Sequence, residues 1–137
     1  MTGPIVLTIA NNLEGMPGIV SAYVFGSMAN GRAHRESDVD IGILLDRQMF
    51  PTASERFETR LRLTGRLGAA VARDVDLVML NDAPPQLARH IMTRGLRLMI
   101  SNVKADHEFL RTVLSRAADV EPFLHSTRRL KLVAIAR

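Results

Sequence analysis

The 137-residue chain contains no cysteine, which removes thiol catalysis and any zinc site built on thiolates. That absence says little about compartment. Aromatic residues are scarce, with one tyrosine, five phenylalanines and no tryptophan. Platforms that stack nucleobases need such rings, so nucleic acid as the main partner is not expected. No apolar run approaches the roughly 20 residues that span a bilayer. Met1 to Asn12 is apolar but has neither a basic leader nor an obvious cleavage site, so no signal peptide is expected. A cytoplasmic protein without a membrane partner is the expectation. His107 and His125 have no partner at metal-ligand spacing, which argues against zinc, and His34 and His90 read as exposed. Net charge is a modest +4. Arg128, Arg129, Lys131 and Arg137 crowd the C-terminal end; they read as a solvated helix face or a patch for an acidic protein partner rather than a phosphate-binding tail.

What the chain does have is apolar content, 47%, enough for one globular domain over 1–137 with a core that needs no staple. The expected order is helix and strand interleaved, a small α/β (α+β) domain. Pro4 to Leu13 reads as a short helix with Thr2 as its cap, and Gly15-Met16-Pro17-Gly18 breaks the chain. Ile19 to Phe25, β-branched and aromatic, reads as the first strand. Asp38 to Leu45 alternates, with Val39, Ile41, Ile43 and Leu45 on one face and Asp38, Asp40 and Gly42 on the other. Pro51-Thr52 opens a helix of about twenty residues whose apolar face is expected at Phe57, Leu61, Leu67 and Val71. Asp74 to Leu80 is the third strand, Gln86 to Thr93 a short helix, and Leu96 to Ile100 an edge strand. From Val103 onward the chain reads as a pair of helices with a break or kink at Pro122. The methionines and Tyr23 read as packing.

Between the first two strands stands the stretch that carries chemistry. Gly26-Ser27 ends the first strand, ten residues intervene, and Asp38-Val39-Asp40 opens the second. Two carboxylates two apart on a strand project from one face, about 6.6 Å apart at Cα. Such a pair suits hard divalent cations such as Mg²⁺, which take oxygen ligands and share substrate phosphates. Two such ions roughly 3.5–4 Å apart stabilise both the attacking and the leaving oxygen of an in-line displacement. Asp76 and Asp74, both early in the third strand, compete for the place of a third acid. Gly26 lets the backbone approach a phosphate, a following helix start offers N–H groups, and the Ser27 hydroxyl can donate to a phosphate oxygen. Arg32 and Arg35 are available to a departing pyrophosphate.

Strand, Gly-Ser, ten residues ending in Ser37, Asp38-Val39-Asp40, apolar strand and a further acid: this order resembles the nucleotidyltransferase superfamily that includes DNA polymerase β. It resembles most the minimal, single-domain bacterial members, the MNT family. The resemblance covers residues 19–80 closely and continues through Ala83-Pro84-Pro85, Leu87, Ile91, Gly95 and Leu98. It implies a mixed, largely antiparallel sheet with helices mainly on one face, a core of about 19–100 and a helical segment of about 103–135. It implies Asp38, Asp40 and Asp76 as metal ligands, with Asp76 chosen because the family places one acid before an apolar run. Asp76 is also expected as general base on the acceptor hydroxyl. Gly26, Ser27 and Arg32 are expected to hold the nucleotide. Many relatives carry Arg where this chain has Asn30, so Arg32 would take over that contact.

The motif names a donor and not an acceptor. About forty residues follow the core, too few for a separate acceptor domain, so the site is expected to be completed by dimerising or by docking on another protein. MNT proteins are typically paired with a helical HEPN ribonuclease toxin. The resemblance implies transfer of AMP from ATP, with Mg²⁺, to a tyrosine hydroxyl of that toxin, and hence an antitoxin. Two alternatives stand beside it: a catalytically weak antitoxin that neutralises by binding, and a transferase acting on a small molecule of the aminoglycoside type.

Overall fold

Alternating burial along two central strands organises the computed structural model, which describes residues 2–31 and 37–135, with side chains for 3–31 and 37–119. The element order is α1 (Thr2–Leu13), β1 (Ile19–Phe25), β2 (Val39–Leu45), α2 (Ala53–Val71), β3 (Val75–Met79), α3 (Pro85–Arg94), β4 (Leu96–Ile100) and α4 (Val103–Ile135). Three-residue 3₁₀ turns follow β1 at Gly26–Met28 and β3 at Leu80–Asp82. The strands form one sheet in the order β3-β2-β1-β4. β1 pairs antiparallel with β2 and β4, and β2 pairs parallel with β3. The expected mixed, largely antiparallel sheet is present.

Helices cover both faces rather than mainly one. Ala22, Val24, Ile41, Ile43, Leu77 and Met79 point toward Ile9 and Leu13 of α1 and Leu63 and Leu67 of α2. The alternate residues Tyr23 and Leu44 pack with Ala88, Ile91 and Met92 of α3 and Val113 of α4. Two helices on each side leave the central strands apolar on both faces, apart from a few polar positions that define the site. α4 is also a single helix of 33 residues, so the chain continues helical through Pro122 instead of breaking there. An internal proline forfeits one donor, and the ladder resumes on either side of it.

α2 begins where Thr52 accepts from the Glu55 N–H at 3.1 Å, while the Thr52 hydroxyl donates to the Glu55 carboxylate. That reciprocal cap contributes about 1 kcal/mol. Its buried stripe is Arg56, Thr59, Leu63 and Leu67, whereas Phe57 and Leu61 are exposed. Of the expected apolar face, Leu67 is buried and Val71 packs against the core, whereas the first two turns bury Arg56 and Thr59 in place of Phe57 and Leu61. The reason is that Arg56 is satisfied when buried. Its Nε and Nη2 each donate to the Asp82 carboxylate at 2.8 Å, and its Nη1 donates to the Phe50 carbonyl at 2.9 Å.

The hydrogen bond from Arg56 holds the Asp82 carboxyl below its ordinary value. A carboxylate depressed in this way stabilises the fold above its unfolded pKa of about 3.9 and loses that contribution as pH falls through the lower folded value. Asp82 is 38% exposed, so solvent screening limits the ionic part to about 1 kcal/mol. Asp82→Asn is expected to lower the melting temperature by a few degrees at pH 7. It should flatten the dependence of that temperature on pH below 4. A variant whose melting curve still steepens there as in the parent would contradict this.

Candidate functional site

Register brings the motif acids together. Asp40 pairs with Asp76 across the parallel β2–β3 ladder, and with Phe25 across the antiparallel β1–β2 ladder. Residues paired across a ladder share a face. Phe25, Asp40 and Asp76 therefore form one row, and Tyr23, Gly42 and Val78 the next. Asp38, two before Asp40, and Asp74, two before Asp76, flank the first row at the open end of the sheet. The Val39 N–H donates to the Asp74 carbonyl at 3.0 Å, fixing that end of the ladder. Asp38, Asp74 and Asp76 are exposed, while Asp40 is half-buried.

Burial raises the pKa of Asp40 most, and the charges of Asp76 and then Asp38 raise it further. The charges of the neighbouring Asp76 and Asp38 thus bear on Asp40 across the two adjacent strands. Among the described residues no three acid or histidine side chains close to a metal-holding set. Asp40 instead turns Oδ2 over Gly26, into the space a Cβ there would fill. Gly26 also has φ +71°, a left-handed conformation that side chains disfavour. The backbone conformation favours glycine there, and the Asp40 carboxylate takes the space that a side chain would occupy.

Ser27 follows in the 3₁₀ turn, partly exposed, with Met28 buried beside it as the anchor. The expected helix start is only this turn. The Gly26 carbonyl accepts from the N–H groups of Ala29 and Asn30 at 3.1 and 3.2 Å, so those two donors are already engaged. Arg32, His34 and Arg35 lie outside the described residues. The basic side chains of 128–137 do so as well.

Three residues shape the site in ways that the sequence does not assign to them. Phe25 is the apolar neighbour of Asp40 on β1. Gly42 admits α3 to the acid face: a Cβ there would lie 2.7 Å from Ile91 Cγ2. Gly95 does the same at the helix end, where a Cβ would lie 2.5 Å from the Ile91 carbonyl and 2.8 Å from that of Val24. α3 therefore seals the sheet one row behind the acids and leaves the acid row open. A cleft of about 800 Å³ lies beside it, lined by Ser37, Asp38, Gly68, Arg73 and Asp74 among others. A separate cavity of about 560 Å³ sits at the other end of β2, by Leu44, Arg47 and Phe109.

Comparison with known proteins agrees with this arrangement. Residues 8–104 match the family described as Polymerase beta, Nucleotidyltransferase. The protein adenylyltransferase MntA of Shewanella oneidensis is 34% identical over 85 residues, 62% of this chain and 57% of that relative. The match thus spans little more than half of the relative's length. A solved structure of a toxin–antitoxin with AMP-PNP superposes with TM-score 0.70 at 25% identity, covering 92% of this chain and 94% of that one. The complex of a tri-AMPylated Shewanella oneidensis HEPN toxin with its MNT antitoxin gives 0.67 at 23% identity, covering 94% and 97%. At that identity the likeness is one of fold.

Proposed function

The chain belongs to the polymerase beta nucleotidyltransferase family, and from that premise we propose that it moves AMP from ATP to a hydroxyl of a partner HEPN-type toxin, acting as its antitoxin. The observation that carries this reading is the row of acids: Asp40 beside Asp76, with Asp38 on the same face and the Asp40 carboxylate seated against Gly26. The likeness to an adenylyltransferase and to toxin–antitoxin complexes supports the acceptor class.

The chemistry of the donor set suits Mg²⁺, being all carboxylate oxygen on two adjacent strands, while the three side chains do not converge on one point in this structure. Asp38, Asp40 and Asp76 would hold it, and when bound it would supply charge neutralisation at the phosphates. The protein's own groups do the rest. Gly26 allows backbone to reach a phosphate, and the Ser27 hydroxyl donates to one of its oxygens. Arg32 balances the leaving pyrophosphate. Asp76, the exposed member of the row, takes the proton of the acceptor hydroxyl. That oxygen attacks the α-phosphorus as the bond to pyrophosphate breaks. α3, seated on Gly42, excludes water from the inner side of the row.

The test is to incubate the chain with its HEPN-type partner, ATP and Mg²⁺, and to weigh the partner. A gain of one or more AMP units on a tyrosine is expected. A partner of unchanged mass whose toxicity is nonetheless neutralised would replace transfer by stoichiometric binding.

A further inference from the structure

The acids need an acceptor brought to them, and the surface next to Asp76 has the features of a place to bring it. β3 is an edge strand. Its outer side floors a groove of about 540 Å³ between α2 and the start of α3, lined by Phe57, Arg60, Leu77, Met79, Pro84 and Leu87 among others. Phe57 is 53% exposed and Leu87 36%. Single exposed apolar residues are ordinary, but a contiguous trough contributed by three elements marks a contact surface.

Local bonding decides what the trough can take. An added β-strand would need the outward carbonyl of Leu77. Arg60 Nε already donates to that carbonyl at 2.7 Å, which closes the edge to strand addition. The Arg60 guanidinium also lies 5.9 Å from the centre of the Phe57 ring, and it meets no carboxylate among the described residues. Asp82 at the rim is neutralised by Arg56. An apolar trough with one uncompensated cation fits the apolar face of a helix that carries an acid beside its anchors.

Position supplies the purpose. Leu77, the first residue of the floor, directly follows Asp76 on the same strand. At about 3.3 Å per residue, the middle of the trough lies on the order of 10 Å from that acid. Resting on the transfer reading above, we infer that this trough docks the acceptor protein. It takes an amphipathic helix whose apolar residues fill the space between Phe57 and Leu87 and whose acidic residue meets Arg60. The hydroxyl to be modified then reaches the acid row from the same docked body.

Phe57→Asp and Leu87→Asp test this, with Leu7→Asp as the control, since Leu7 is 61% exposed on α1, away from the trough. Partner affinity by titration calorimetry, ATP affinity of the chain alone, and AMP mass gain of the HEPN-type partner are measured together. The two trough variants should bind the partner at least about tenfold more weakly. Their KM for the partner should rise in step, with ATP affinity and the Leu7→Asp control unchanged. Should Phe57→Asp melt well below the parent, Phe57→Ala gives the same comparison.

Trough variants that keep partner affinity and transfer within twofold overturn the docking surface and leave the transfer reading standing. A parent chain that binds its partner but adds no AMP overturns the transfer reading, and partner affinity alone then judges the trough. Self-association of the parent that Phe57→Asp abolishes, with partner binding intact, assigns the trough to a second copy and overturns the inference.

Discussion

Asp40→Asn is expected to lower the rate of AMP transfer by about two to three orders of magnitude and, in the same molecule, to raise its melting temperature. The two effects share one cause. Asp40 is half-buried between Phe25 and Asp76, and burial, Asp76 and Asp38 all push its pKa up. A carboxylate whose pKa is raised on folding weakens the fold at any pH above that folded value. The penalty fades as pH falls through the raised value toward the unfolded one of about 3.9. Asparagine removes the charge while keeping shape and an acceptor oxygen, so the fold gains on the order of 0.5–1 kcal/mol near neutral pH. The gain should vanish near pH 3. Melting in EDTA at pH 7 and pH 3, beside mass spectrometry of the acceptor, reads both arms. A variant that melts lower than its parent at pH 7, or that still transfers AMP at the parental rate, would sink this account. The trade of stability for function is common at sites that gather like charges.

The stretches legible from sequence are those where chemistry is local. Ile19–Phe25 reads to its final bounds because β-branched residues and a terminal glycine act within one strand. Asp38, Asp40 and Asp76 are legible as a group because alternation fixes which face each occupies, although only the register shows that Asp40 and Asp76 are direct neighbours. What sequence does not show are features set by distant partners. The α2 stripe escapes a reading of apolar periodicity because hydropathy treats Arg56 as a surface residue. Asp82, 26 residues later, makes its burial tolerable. Asn81 is similar: its side-chain amide donates to the Leu45 carbonyl and accepts from the Leu45 N–H, both at 2.9 Å. It thereby continues the β2–β3 ladder past the end of β3, where the residue types alone predict a turn. Helices on both faces follow from Gly42 and Gly95, and a glycine in a strand pattern does not say what approaches it.

Asp106 carries the other large expected effect, and it acts on stability alone. It is 1% exposed, and its Oδ1 accepts from the Ser21 hydroxyl at 2.6 Å and the Tyr23 hydroxyl at 2.7 Å. These bonds fasten the first turn of α4 to the middle of β1, across more than eighty residues of chain. Burial first, and the bond to Asp106 second, push the Tyr23 pKa up, so the phenol stays protonated and donating throughout the working range. Asp106→Leu leaves two buried hydroxyls without an acceptor and should cost about 3 kcal/mol, read as a drop of roughly 5–15 °C in melting temperature. Asp106→Asn can present one oxygen to both hydroxyls and should lose much less. The triple variant Ser21→Ala, Tyr23→Phe, Asp106→Leu removes donors and acceptor together and should recover most of the loss, a non-additivity expected of a single network. An Asn variant as damaged as the Leu variant would assign the effect to the charge instead of to the accepted bonds. Because α4 is fastened to β1 at Ser21 and Tyr23, behind the acid row and not in it, transfer per folded molecule should be the same in all three. Stability and chemistry then separate between neighbouring rows of one strand.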